Sequence, residues 1–198
     1  MIRISASCLA KIEIDGKYLV GLNKRRFKHG KKVYTPFGGA IEFYESARPF
    51  LESLGAVFEN GNDIRIEIPE EKIPEFERWF YQRKDREISP YRELREELVD
   101  EEYALPDLPP NAFDFRYLKT VKERHVTDRP GQEGKLTQRY MEIYQIDFEP
   151  KYIEILRNSL EKPDTRLRLV SVKEILAGIT DDGIPIGTNC RPLTDGKI

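Results

Sequence analysis

The sequence predicts an α/β or α+β domain built around a mixed sheet. Alternating or β-branched stretches interleave with stretches of helical periodicity along the whole chain. Apolar residues make up 39% and aromatic residues 11% of the 198 positions, enough for a core and too much for a disordered chain. There is no internal repeat and no low-complexity tract. The formal net charge of −2 argues against a globally basic nucleic-acid binder, so nucleic acid is not the expected partner. No apolar run approaches the length of a membrane span, and Met1 to Lys11 reads as a strand rather than a signal peptide. Two cysteines, Cys8 and Cys190, without CxxC spacing argue against a disulfide scaffold or a Cys-based zinc site. A cytoplasmic protein is therefore expected.

The elements follow in order. Ile2 to Ile14 and Lys17 to Leu22 flank Asp15-Gly16 and predict a β-hairpin. Asn23 to Lys32 reads as a basic loop, Val33 to Phe37 as a short strand ended by Gly38-Gly39, and Ala40 to Tyr44 as an extended piece. Ser46 to Gly55 has helical character. Asp63 to Pro69 alternates strictly and predicts a strand with one buried face. Glu70 to Arg83 places Ile73, Phe76 and Phe80 on one side of a helix, with Trp79 beside them. Ser89-Pro90 predicts a helix start, with Ser as N-cap, for a helix reaching about Asp100. Phe113 to Thr127 and Leu136 to Phe148 read as two long strands joined by a glycine-containing loop. Pro150 to Lys162 is a helix, Thr165 to Ser171 a strand, Val172 to Ala177 a short helix, and Gly178 to Ile198 a turn-rich tail.

Charge is segregated. Residues 1–32 hold nine basic and two acidic side chains, so the remainder carries −9. The chemically informative stretch is Arg92-Glu93-Leu94-Arg95-Glu96-Glu97-Leu98. On a helix, Glu93, Glu96 and Glu97 stand at i, i+3 and i+4, so three carboxylates share one face. Each like-charge pair costs roughly 0.2–0.5 kcal/mol in solvent. A hard divalent cation with oxygen ligands reverses that cost. A solvated helix face, with Arg92 paired to Glu96 at i+4, is the other reading of the same stretch. Upstream, Gly38-Gly39 follows a short strand and precedes Glu42 and Glu45. A glycine pair lets backbone approach a ligand, or simply makes a turn.

Taken together, these residues resemble the box of the Nudix hydrolases: Gly, five residues, Glu, seven residues, then Arg-Glu-aliphatic-x-Glu-Glu-x-Gly-aliphatic. Gly39 and Glu45 match its first part; Arg92, Glu93, Leu94, Glu96 and Glu97 match its second. About 39 extra residues lie between Glu45 and Arg92, and Val99 stands in place of the box glycine. The inserted stretch, with Arg78-Trp79-Phe80-Tyr81 and the run to Arg92-Glu93, resembles the SMODS-associated Nudix domains. That group is linked to bacterial antiviral systems that use nucleotide second messengers.

The resemblance implies one Nudix-like domain over residues 1–198, an α/β/α sandwich with a mixed central sheet, in which 46–85 is an inserted subdomain. It implies Mg²⁺-dependent cleavage of a diphosphate linkage in a nucleotide, with Mn²⁺ as a substitute. Gly39, Glu93, Glu96 and Glu97 would hold the metal, Glu42 being a further candidate. Glu45 would be a second carboxylate around the metal or the base, Glu96 and Glu97 would serve catalysis, and Arg92 would orient a box glutamate. Antiviral-system proteins would be its partners. The alternative is a Nudix domain that senses a nucleotide without cleaving it, prompted by the expanded box and by Val99.

Recognition groups are less defined. Arg25 and Arg26 are candidates for substrate phosphates, or else a solvated loop. Tyr140 is a candidate to stack on a base, although Tyr140, Arg139 and Tyr144 lie on a strand, where aromatics pack into cores. RNA binding through Lys24 to Lys32 with Phe27 and Tyr34 is a third hypothesis. His29 and His125 read as surface residues, Cys8 as core and Cys190 as an unactivated thiol. The insertion should be folded and serve as a pocket lid or a homodimer contact.

Overall fold

A computed structural model describes residues 1–194 of the chain; the last four positions of the expected turn-rich tail lie outside the described residues. Eight strands form one mixed sheet with helices. The chain divides into two compact units, the first of residues 1–8, 39–89 and 119–142, the second of residues 9–38, 90–118 and 143–198. Strands β1 (Ile2–Ile14), β6 (Phe113–Val126) and β7 (Leu136–Phe148) contribute to both; β7 pairs with β1 and β6.

In the first unit, Ile2 to Ser5 of β1 pair antiparallel with β5 (Arg65–Ile68), and β4 (Val57–Phe58) adds to β5. The strict alternation of 63–69 places Ile64, Ile66 and Ile68 at 0% exposure while Arg65 and Glu67 stay at the rim. Against these lie α2 (Arg48–Ser53), preceded by a 3₁₀ turn, and α3 (Ile73–Gln82). Pro74 opens α3 and Arg83, at φ 55°, ends it. Its apolar face buries Phe76 and Phe80 completely, with Trp79 5.7 Å from Phe76 and Tyr140 5.2 Å from Phe80. Each such side chain contributes roughly 1.5–3 kcal/mol by burial. Residues 46–85 therefore fold as α2, β4, β5 and α3 within this unit, alongside residues 1–8 and 119–142.

In the second unit, β1 turns at Asp15-Gly16, both with positive φ as a tight hairpin turn requires, into β2 (Lys17–Leu22). Strand β2 pairs with β8 (Leu167–Val170) over Tyr18 to Gly21 and with β3 (Tyr34–Thr35) at its end. Gly21 lets the Phe37 ring pack close: a Cβ there would stand 3.1 Å from it. Helices α5 (Pro150–Leu160) and α6 (Val172–Ala177) bury Tyr152, Leu156 and Ile175. A reciprocal Ser171–Glu174 cap starts α6, and Gly178 in the left-handed region ends it.

Three local expectations change. Residues 24–28 are a short helix, α1 (Lys24–Lys28), because the Asn23 side chain accepts the Arg26 N–H at 3.0 Å and caps it. Ser89 does not cap the following helix; Pro90 occupies that position with no side-chain hydrogen bond, and α4 runs Tyr91–Arg95. The helix then continues as π-helix over Glu96–Glu101. No helix among the described residues is long and apolar enough to cross a membrane.

Candidate functional site

In the second unit, α4 and its π-helical continuation carry Arg92, Glu93, Glu96 and Glu97. Leu94 and Leu98, both at 0% exposure, anchor this helix in the core and so fix which way the acidic residues face. Glu93 is buried, Glu97 half-buried and Glu96 exposed. Arg92 gathers two of them, its Nη1 standing 2.9 Å from Glu93 Oε1 and 3.3 Å from Glu96 Oε1. Glu97 accepts the N–H of Gly38 at 2.6 Å. Gly38 sits at φ 129°, a conformation that side-chain-bearing residues rarely adopt. The glycine loop and the acidic helix, 59 residues apart in sequence, are thus bonded directly.

Burial pushes the Glu97 carboxyl well above the usual range; the Gly38 N–H lowers it, and the charges of Glu93, Glu101 and Glu102 raise it further. Burial also raises Glu102, against the pull of Arg166 at 2.8 Å. Arg166 additionally donates to the Glu101 carbonyl at 2.7 Å, and Lys24 pairs with the Glu101 carboxylate. A desolvated, mutually repelling set of carboxylates takes up a proton or a hard cation. In oxygen-donor type and helix position Glu93, Glu96 and Glu97 fit Mg²⁺. They do not converge as a finished cage: among the described residues no three His, Cys, Asp or Glu side chains are grouped as metal ligands, and Glu96 spends its charge on Arg92.

Gly39, Glu42 and Glu45 belong to the first unit. The Gly39 carbonyl accepts the Cys8 N–H at 3.0 Å, and Glu42 is half-buried. Glu45 is exposed and gripped by Arg48, whose Nε and Nη2 stand 2.8 and 3.2 Å from its oxygens. That pairing lowers the Glu45 carboxyl below its ordinary value. Arg48 itself is fixed by Asn62 at 2.8 Å and lies over the Phe43 and Phe58 rings.

The expectation for Tyr140 is corrected. Its ring is 0% exposed inside the aromatic cluster, and its hydroxyl donates to Glu77 at 2.8 Å, so no base can stack on it. Tyr34 and Tyr144 are buried as well. Arg25 and Arg26 remain exposed on α1. His29 is exposed. His125 is partly buried, its Nδ1 without a hydrogen-bond partner, and burial lowers its pKa. Burial pushes the Cys190 thiol up to about 12, far from a nucleophile's range. Sequence reasoning did not anticipate Gly38 as the donor to Glu97, nor Lys24 and Arg166 as holders of the helix end. Contacts this distant in sequence leave no spacing signal.

No curated protein matches the chain. The solution structure of the E. coli ORF135 protein aligns over 97% of this chain and 86% of that one, at 12% identity and a TM-score of 0.39. The SMODS-associated NUDIX domain matches residues 1–194, nearly the full length and across both units. That match takes in both Gly38-Gly39 and the R-E-L-x-E-E helix, and the chain belongs to the SMODS-associated NUDIX domain family.

Proposed function

We propose that this protein is a divalent-metal-dependent hydrolase that cleaves a diphosphate linkage in a nucleotide. The observation that carries the reading is the Glu97–Gly38 hydrogen bond, which joins the box carboxylates to the glycine loop beside a desolvated acidic face. Glu93, Glu96 and Glu97 would hold Mg²⁺, or Mn²⁺ in its place. When bound, the ion supplies charge neutralisation at the phosphates and a more acidic water. Arg92 orients Glu93 and Glu96 through its two ion pairs. Glu97 is kept from turning by the Gly38 N–H. Glu45, held ionised by Arg48, is a weak proton acceptor and suits an orienting role better than that of general base. Arg25 and Arg26 would meet substrate phosphates.

The family resemblance read from the box and its insertion suggests a setting in cytoplasmic bacterial antiviral defence, with a nucleotide signal as ligand and proteins of such a system as partners. A second reading, nucleotide sensing without cleavage, is favoured by Val99 at the box-glycine position inside the π-helical stretch. A mass-spectrometric screen of nucleoside triphosphates, dinucleotides and ADP-sugars with Mg²⁺ or Mn²⁺ separates the two. Glu96→Gln/Glu97→Gln should lose turnover by on the order of 10³-fold with an unchanged circular dichroism spectrum. Recovery of intact, tightly bound nucleotide from the wild type would establish the sensor instead.

A further inference from the structure

Six of the ten residues from Asn23 to Lys32 are Lys or Arg, and none is acidic. In the second unit this stretch is a built arm. The Asn23 N–H donates to the Val33 carbonyl at 2.8 Å and closes its base. The N–H groups of His29 and Lys31 both donate to the Arg26 carbonyl at 3.0 Å, and Gly30 takes φ 72° to allow the reversal. Asn23 caps α1, and Lys24 fastens the arm to the far end of the box helix through Glu101.

The other five cations have no such employment. Arg25, Arg26, Lys28, Lys31 and Lys32 are all exposed, and among the described residues the side chain of none meets a carboxylate. Elsewhere in the same unit Arg157, Arg166 and Arg168 each hold one. Five like charges confined to eight residues on a hydrogen-bonded frame repel one another. Phe27, 39% exposed, stands in their midst.

We propose that this arm binds a short single-stranded oligonucleotide, with successive phosphates on the five cations and a base stacked on Phe27. A lone diphosphate is matched by one or two cations; five match several phosphates in series. The −9 carried by residues 33–198 repels a long polyanion, which limits the ligand to a short one. An anionic membrane surface fits less well. It would meet the same cations electrostatically but offers Phe27, the arm's only large apolar side chain, no base to stack on. The inference goes beyond the hydrolase reading and does not need it, because an oligonucleotide can be held whether or not it is cut.

The test is fluorescence anisotropy of a short labelled single strand on the full chain over a salt series, with ATP and phosphatidylserine vesicles as comparison probes. Arg25→Ala/Arg26→Ala and Lys31→Ala/Lys32→Ala should each make the slope of log affinity against log salt shallower by roughly 1.4. Phe27→Ala should weaken binding on the order of tenfold at constant slope. Binding should persist at equal affinity with divalent metal removed by EDTA, so failure of the hydrolase reading leaves this one standing. The proposal is overturned if the strand binds no tighter than ATP, if both double variants keep the wild-type slope, or if the vesicles are the tighter, arm-dependent ligand.

Discussion

The Arg86–Glu142 pair gives the sharpest stability prediction. Their side chains are 0% and 1% exposed. Arg86 Nη2 donates to Glu142 Oε1 at 2.7 Å and Nη1 to Oε2 at 3.3 Å, while Nε and Nη2 also donate to the Phe80 carbonyl at 3.0 and 2.8 Å. The guanidinium lies 4.1 Å from the centre of the Phe80 ring. Glu142→Gln keeps the shape and removes the charge, leaving a buried cation without its counterion. Breaking a buried pair in this way costs about 3–5 kcal/mol, a large share of the 5–15 kcal/mol typical of a whole domain, roughly. With a urea m-value of roughly 2–3 kcal/mol/M for a chain of this size, the midpoint should fall by about 1–2 M. Trp79, the sole tryptophan, stands 5.7 Å from Phe76 in the same unit, so its emission reports the transition. Arg86→Met/Glu142→Met removes both charges but also takes Glu142 from Arg83 at 3.2 Å and the Arg86 donors from the Phe80 carbonyl, so it should recover only part of the Glu142→Gln loss. A Glu142→Gln midpoint within ~0.3 M of wild type would refute the reasoning.

Other predictions concern single groups. Because the Glu97 carboxyl is raised in the folded protein, its neutral form stabilises the fold below the ordinary glutamate range. That contribution is lost as pH rises through the raised folded value, so the metal-free melting temperature should fall across this window and Glu97→Gln should flatten the fall. Added Mg²⁺ should restore stability at the alkaline end, read in the same melting experiment. Cys8 and Cys190 are both buried, and the thiol of Cys190 is pushed up to about 12; a disulfide-exchange reagent at neutral pH should label neither until denaturant is added. Tyr140→Phe strands Glu77, which keeps Lys122 at 2.6 Å, and should cost about 1 kcal/mol by urea titration. Ser171→Ala removes the α6 cap and should cost about 0.5–2 kcal/mol in the same assay.

Where local pattern and burial agree, the elements follow the sequence closely. Leu136–Phe148 and Val172–Ala177 have the expected bounds, since a long run of aromatic and aliphatic residues and a Ser-x-x-Glu cap each constrain their segment strongly. The basic stretch after β2 hid a helix because its stabilising feature is one side-chain cap rather than an apolar face. β4, two residues long, carries too little pattern to be read. Of the candidate site, the residues on one helix were visible because local spacing places them together. The Glu97–Gly38 bond and the Lys24–Glu101 tether were not, since tertiary packing alone creates them. Tyr140 was misplaced because strand alternation alone does not say which side of β7 is covered by α3.

The wide turn at Glu96–Glu101 bears on how such a chain changes by mutation. A π-helical turn amounts to an α-helix that has absorbed one additional residue. Deleting one codon inside it, such as that of Val99, lets the segment close as ordinary α-helix, and because the wider turn spreads its extra residue over nearly the same arc, the residues beyond keep their bearing. Arg92 and Glu93 lie before that step, and Glu102, which grips Arg166, lies after it. The disturbance is confined to the wide turn itself, which carries Glu96, Glu97 and Glu101, so the helix can lose a residue there without losing its anchor at Glu102.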